Sequence, residues 1–154
     1  MTLQDEGATY QVERGKPVPG YNHSRTQSRF IRQIPETGPY EAFSELNLEL
    51  NGWRCVPDIC VLPRGAGLRA EDVAWVQEAP LMAVEIISPT QTMEEMMTKV
   101  NRLVAEGVGS VWLVIPALQV VTIFQKGHPP LSASHGALTD PATGIIVEVS
   151  ELFA

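Results

Sequence analysis

The stretch LMAVEIISP, residues 81–89, is a short apolar run that is preceded by Pro80 and ends at Pro89. Such a run between turn residues is typical of a central strand that is buried on both faces. Glu85 is the exception within it, because an ionised carboxylate is rarely buried without a partner or a metal. Two interpretations are open: Glu85 reaches solvent or an arginine at a strand end, or it belongs to a functional site.

A second acid, Asp58, lies in a comparable apolar stretch, VPDICVL at residues 56–62. Carboxylates on adjacent strands are the usual oxygen ligands of hard divalent cations. Asp58 therefore favours the functional interpretation of Glu85, and the two acids together predict a metal site.

The segment before Asp58 predicts a β-hairpin. From Ser44 to Leu50 the polarity alternates strictly, with leucines on one side and polar residues on the other. Asn51-Gly52 follows, which is a strong signal for a two-residue hairpin turn. We expect residues 53–62 to form the returning strand.

A two-residue turn fixes the register of the hairpin, which places Glu49 opposite Arg54 and Glu45 opposite Asp58. Two facing carboxylates about 5 Å apart repel by about 3 kcal/mol at an effective dielectric near 20. The register therefore favours a cation between Glu45 and Asp58, which makes Glu45 a further candidate metal ligand. Pro57 could mark a bulge, which would remove Glu45 from the site but not Asp58.

Composition indicates one domain, residues 1–154, because 154 residues with 44% hydrophobic content can form one sizeable core. Whether residues 1–9 are ordered is left open. The net charge of −7 argues against broad attraction to nucleic acid or membrane. Residues 14–35 differ from this acidic average, because they carry five cations and no acid and so have a net charge of +5. The rest of the chain therefore has a net charge of −12, since +5 and −12 sum to −7.

Residues 22–34 are predicted to form a helix, capped by Asn22 or Ser24, with an inward stripe. Three arginines recur along one face of this helix. Such a face is usually solvated; alternatively it contacts the phosphates of nucleic acid. These residues are Arg25, Arg29 and Arg32.

A second helix is predicted from Met93 to Glu106, with Thr92 and Glu95 as a capping box. An apolar stripe that includes Met93 runs along it. Lys99 lies at the edge of this stripe, where it either extends to water or leans back over the strand of Glu85.

Residues 111–115 and 120–124 predict a second hairpin, residues 127–144 a loop, and residues 145–149 a last strand. The histidines show no metal-ligand spacing. The chain starts without an apolar signal region, and its longest apolar tract is too short to span a membrane. We therefore expect a soluble, cytoplasmic protein.

Several of these stretches together resemble the Uma-two family of restriction-endonuclease-like proteins, a branch of the PD-(D/E)XK nuclease superfamily. The most specific are Pro57-Asp58, residues 85–89 (EIISP) and residues 99–112, and the resemblance extends over roughly residues 10–153. It implies an α/β (α+β) fold, a restriction-endonuclease-like mixed β-sheet with flanking helices. It also implies phosphodiester hydrolysis that depends on Mg²⁺ (or Mn²⁺), with Asp58 and Glu85 holding the metal.

The chain departs from the superfamily pattern at three positions. Ile87 stands where the superfamily has a lysine, and Lys99 on the following helix is the expected replacement. Leu103 replaces an aromatic residue, and Ile115 replaces an aspartate. The resemblance thus assigns catalysis to Asp58, Glu85 and Lys99.

Three hypotheses follow for the function. The first is a metal-dependent endonuclease that acts on nucleic acid, with DNA favoured over RNA. The second is a nuclease-like domain that no longer cleaves and serves as a binding or dimerisation module; the net charge and the loss of the aspartate at Ile115 favour it. The third is a metal-dependent hydrolase of a smaller phosphoester. A homodimer is left open, and no membrane partner is expected.

Overall fold

A six-stranded mixed sheet dominates the computed structural model, which describes residues 16–154. Its strands lie in the order β1-β4-β5-β6-β7-β8; only β5 and β6 are parallel. The expected mixed sheet with flanking helices is confirmed, whereas residues 1–9 lie outside the described part. The strands of this sheet are β1 (Tyr40–Ser44), β4 (Ile59–Pro63), β5 (Met82–Ile86), β6 (Ser110–Ile115), β7 (Val120–Phe124) and β8 (Leu131–Ala133).

Strand β5 lies inside the sheet, and all five of its residues are buried. Because side chains alternate along a strand, Val84 packs with Phe30 on one face of the sheet, and Ala83 packs with Val100 on the other. Glu85 shares the face of Ala83. The expected central strand is thus confirmed, and its acid points toward the helix that carries Val100.

The first hairpin keeps one register throughout but is split into two ladders. The turn pairs Glu49 with Arg54, as expected, between β2 (Leu48–Leu50) and β3 (Trp53–Cys55). The expected single strand over residues 53–62 is wrong, because residues 56–58 leave the ladder at Pro57. Beyond this break β1 pairs with β4, and the break inserts no net residue into either strand.

In the described part of the chain, three helices flank the strands: α1 (Tyr21–Arg32), α2 (Met93–Ala105) and α3 (Val149–Phe153). The capping box of Thr92 and Glu95 is confirmed at the start of α2, although Met93 is exposed rather than part of the core. The expected cap of α1 by Asn22 or Ser24 is wrong. The helix begins at Gly20, whose carbonyl accepts from the Ser24 amide, and no side chain caps it.

The C-terminal part contains two short strands that the sequence did not predict. Residues 127–144 were expected to be a loop but include β8 and β9 (Ala137–Thr139), and β9 pairs with β10 (Ile146–Glu148). The expected strand at residues 145–149 is shorter, because α3 begins at Val149. Within residues 16–154, no helix has the length and apolarity needed to cross a membrane.

Candidate active site

Three acids lie close together at three neighbouring strands: Glu45 directly follows β1, Asp58 directly precedes β4, and Glu85 lies within β5. Ser44 pairs with Ile59, and Ile59 pairs with Val84. Extending this register by one position beyond the ladders sets Glu45 opposite Asp58 and Asp58 opposite Glu85. We call Glu45, Asp58 and Glu85 the acidic row. The Glu45 amide donates to the Asp58 carbonyl at 3.0 Å, which keeps the first two members side by side.

Asp58 is the most heavily bonded member of the acidic row, and it is 1% exposed. Its Oδ1 accepts from Lys16 Nζ at 2.6 Å. Its Oδ2 lies 3.1 Å from His23 Nε2 and accepts from the Ile86 amide at 2.7 Å. Burial alone would raise the pKa of Asp58, but the His23 hydrogen bond and the Lys16 charge lower it to about 2. The group is therefore a carboxylate at neutral pH.

Lys16 provides the cation that the facing acids require. Its Nζ lies 3.1 Å from Glu45 Oε1 and 2.6 Å from Asp58 Oδ1, and it also donates to the Val56 carbonyl at 3.3 Å. Burial opposes the charge on Lys16, but Asp58, Glu85 and Glu45 together raise its pKa above the ordinary value. The Glu45–Asp58 repulsion predicted from the register is therefore balanced by an ammonium of the chain itself.

Glu85 lies under α2 and pairs with Lys99, whose Nζ is 2.9 Å from Glu85 Oε1. This contact is an ion pair without an aligned hydrogen bond, since no donor among residues 16–154 is directed at that oxygen. Burial raises the pKa of Glu85, and the nearby Asp58 adds to the increase, although Lys99 opposes it. Lys99 Nζ also lies 3.5 Å from the Val56 carbonyl. Of the two fates that the sequence left open for Lys99, the structure shows the inward one.

Helix α1 contributes two polar residues that the sequence did not single out. His23 is buried against Asp58, and Gln27 Nε2 donates to the Asp58 carbonyl at 2.8 Å. Lys16 was noted only as part of a basic segment. Neither His23 nor Lys16 is near Asp58 in sequence, so only the tertiary fold reveals their roles.

The arginine face of α1 lies away from the acidic row. At 100° per residue, the three arginines are about 180–240° around the helix from His23. Arg25 Nη1 donates to the Ala154 carbonyl at 2.5 Å, and Arg29 Nη1 donates to the Glu151 carbonyl at 2.9 Å. Arg32 is exposed. Arg25 and Arg29 thus brace the C-terminal helix, and the phosphate contact expected of the three residues stays a prediction.

A cleft of about 630 Å³ lies along α2. Lys99 lines it and also contacts Glu85, so one side chain links the cleft to the acidic row. Trp53 and Arg102 form part of its wall, with the guanidinium 5.0 Å from the centre of the indole ring. The cleft therefore offers a cation and an aromatic surface next to the acids.

The donor chemistry of the site fits a hard cation. Within residues 16–154 there is no group of three His, Cys, Asp or Glu side chains arranged for a metal ion. Mg²⁺ needs no such group, because proteins usually bind it through one or two carboxylates, with water and substrate oxygens completing the shell. Asp58 and Glu85 supply two carboxylates, and the Val56 carbonyl lies within reach of both lysines. The buried Cys55 offers no nucleophile, since burial raises the pKa of its thiol to about 11.

Comparison with known proteins agrees with this architecture. A family model described as "Putative restriction endonuclease", Uma2, matches residues 6–149. A crystal structure of a putative nuclease belonging to DUF820 from Anabaena variabilis ATCC 29413 is similar, with a TM-score of 0.76 and 24% identity. The alignment covers 90% of this chain and 83% of that one, and it supports the fold. No curated protein matches the chain. The chain belongs to the Uma2 family.

Proposed function

We propose that this chain is a metal-dependent nuclease that hydrolyses phosphodiester bonds of nucleic acid, with DNA favoured over RNA. The observation that supports the proposal is the burial of two neighbouring acids, Asp58 directly before β4 and Glu85 on the adjacent β5, with Lys99 2.9 Å from Glu85. Perturbed, buried acids beside a cleft are typical of catalytic sites.

In this proposal Asp58 and Glu85 hold Mg²⁺ or Mn²⁺, with Glu45 as a further ligand. The metal, when bound, polarises the phosphate and lowers the pKa of a bound water. His23 and the Ile86 amide orient the Asp58 carboxylate. Lys99 stabilises negative charge that develops on the phosphate, or orients the attacking water.

Lys99 on α2 supplies the ammonium that the superfamily pattern places at the position of Ile87. Lys99 projects from α2 onto Glu85, which it contacts at 2.9 Å. An ammonium group is therefore present beside the acids although Ile87 occupies the usual lysine position. This contact supports an active enzyme over a site that has lost its cation.

We further propose that the substrate enters through the cleft beside Lys99. Arg102 would contact the backbone phosphates there, and Trp53 would stack against a base. The arginine face of α1 is the competing surface, and it lies on the far side of that helix from His23. Arg32 is the residue chosen to test this face, because its side chain is exposed.

Cleavage assays test the proposed function. Supercoiled plasmid, single-stranded DNA and RNA are incubated with wild-type protein and Mg²⁺, Mn²⁺ or EDTA. We expect metal-dependent cleavage that Asp58→Asn and Glu85→Gln abolish, since each removes a charged ligand but keeps the side-chain volume. Lys99→Met should slow cleavage by roughly one to three orders of magnitude, the range for losing one electrostatic contact.

DNA-binding measurements at several salt concentrations compare the two candidate surfaces with a matched pair of arginine variants. Arg102→Ala should weaken DNA binding and reduce its salt dependence, because one phosphate contact is lost. Arg32→Ala removes the same charge and should leave both unchanged. The reverse result would assign the substrate to the arginine face of α1.

The alternative is a nuclease-like binding or dimerisation module that does not cleave. The Lys16–Asp58 pair favours it, because this pair already neutralises one acid without a metal. A folded wild-type protein that cuts no substrate with any divalent metal would establish this alternative, and sedimentation would then show whether it dimerises.

A further inference from the structure

We propose that Lys16 is a tethered cation that occupies the metal position of the acidic row, and that a divalent metal must displace it. The inference rests on the proposed use of Asp58 and Glu85 as metal ligands. It adds a role for Lys16 as a positioning residue, which keeps the acids together while the metal is absent.

The surroundings of Lys16 Nζ are those of a cation in an oxygen site. Three oxygens lie around it, from Asp58 at 2.6 Å, Glu45 at 3.1 Å and the Val56 carbonyl at 3.3 Å. The ammonium donates hydrogen bonds to Asp58 and to the Val56 carbonyl, and Glu45 lies within ion-pair distance. Lys16 is 7% exposed, which is unusual for a lysine and requires this pairing.

Competition with a metal follows from the two oxygens of Asp58. Oδ2 already contacts His23 Nε2 and accepts a hydrogen bond from the Ile86 amide. Oδ1 is the oxygen left for a metal, and Lys16 holds it. A divalent ion on Oδ1 would lie within a few ångströms of the ammonium in a buried, weakly screened site, where like charges repel strongly. The two cations therefore compete for that oxygen.

Lys16 is also placed so that it can leave. Residues 17–20 have no regular secondary structure, and α1 starts only at Tyr21. The lysine side chain is a flexible four-carbon stem with a strongly hydrated head. Withdrawal of Lys16 into water therefore requires no melting of α1, and it would free Oδ1 for the metal.

Calorimetry of Mn²⁺ binding tests the proposal without reference to cleavage. Lys16→Met keeps the stem but removes the charge, so it should bind Mn²⁺ about tenfold more tightly than wild type. Its metal-free form should melt at a lower temperature, because Glu45 and Asp58 then face each other without the Lys16 ammonium. Lys99→Met is the matched control, and it should show a smaller gain, because Lys99 holds one oxygen of Glu85 rather than the remaining oxygen of Asp58.

A second measurement uses the wild-type protein, in case Lys16→Met does not fold. Acylation of lysine amines, read by mass spectrometry, should increase at Lys16 when Mn²⁺ is added, because displacement exposes Nζ. The exposed Lys126 serves as the internal reference and should not change. Unchanged or weaker Mn²⁺ binding in Lys16→Met, equal gains in both lysine variants, or Lys16 acylation that Mn²⁺ leaves unchanged would each overturn the proposal.

These outcomes are separable from the proposed function. A protein that cleaves DNA but binds Mn²⁺ equally well with and without Lys16 would overturn only the displacement. A protein that shows the displacement but cleaves no substrate would overturn only the nuclease activity.

Discussion

At the scale of single residues, Asp58 and Glu85 respond to burial in opposite ways. Asp58 has three donors and a pKa lowered to about 2. Among residues 16–154, Glu85 pairs with Lys99 but receives no aligned donor at Oε1, and burial raises its pKa. Hydrogen bonds and nearby charge thus decide which of two buried acids is easily ionised. Such a difference between neighbouring acids is common where one binds a metal and both share a site.

These shifts predict how stability depends on pH. The pKa of Asp58 is lower in the folded state than its ordinary 3.8, so its stabilisation is present above that value and is lost as pH falls toward about 2. The loss is of the order of 2 kcal/mol. Urea unfolding should therefore show that the stability difference between wild type and Asp58→Asn shrinks between pH 5 and pH 2.

Glu85→Gln is the control, because it should show the opposite trend. The pKa of Glu85 is raised in the folded state, so ionisation of this group destabilises the protein as pH rises above about 4.5. The variant should therefore gain stability relative to wild type toward neutral pH. Parallel pH profiles for the two variants would contradict the assigned pKa directions.

Sequence could predict the partners of Asp58 only in part. The turn at Asn51-Gly52 was enough to place Glu45 opposite Asp58, because the break at Pro57 inserts no net residue. The cation between the two acids was expected as well. Its identity was not, since Lys16 lies 42 residues from Asp58 and no local pattern links them.

At the scale of elements, the site depends on how closely β5 and β6 approach. Gly109 precedes β6, and a Cβ atom there would lie 2.5 Å from the Leu81 carbonyl oxygen and 3.0 Å from the Ala142 Cβ. The Ser110 amide donates to the same carbonyl at 3.0 Å. The glycine therefore permits the close parallel pairing that sets the position of the strand carrying Glu85.

Gly109→Ala should therefore destabilise the protein by about 1–3 kcal/mol, because the added methyl overpacks a site closed by backbone. Thermal melting measures the effect. Gly65→Ala is the control, since its Cβ would meet nothing within 4 Å, and it should change stability by less than about 0.5 kcal/mol. Equal stability of the two variants would show that β6 can move away from β5 at no cost.

Local signals predicted some elements better than others. The capping box at Thr92 and Glu95 fixed the start of α2 because both partners are close in sequence. The start of α1 was missed because its first turn is closed by backbone bonding to Gly20 rather than by a side chain. The short strands β8 and β9 are largely exposed, so their sequences lack the apolar alternation that would predict strands.

At the scale of the whole molecule, several cations of the basic segment, residues 14–35, contact other parts of the chain. Lys16 pairs with the acidic row, and Arg25 and Arg29 hold carbonyls near the end of the chain. Arg14 lies outside the described residues. A net charge of +5 over residues 14–35 therefore does not by itself predict a basic surface for substrate binding. For this reason the sequence alone could not identify a substrate-binding face.

The position of a bound metal tests the central claim most directly. Crystals of the wild-type protein grown with Mn²⁺ can be measured at a wavelength where manganese scatters anomalously. We predict one anomalous peak between the carboxylates of Asp58 and Glu85, with Lys16 withdrawn from Asp58 Oδ1. A protein saturated with Mn²⁺ that shows no peak there, and that keeps the Lys16–Asp58 pair intact, would contradict the assignment of this site.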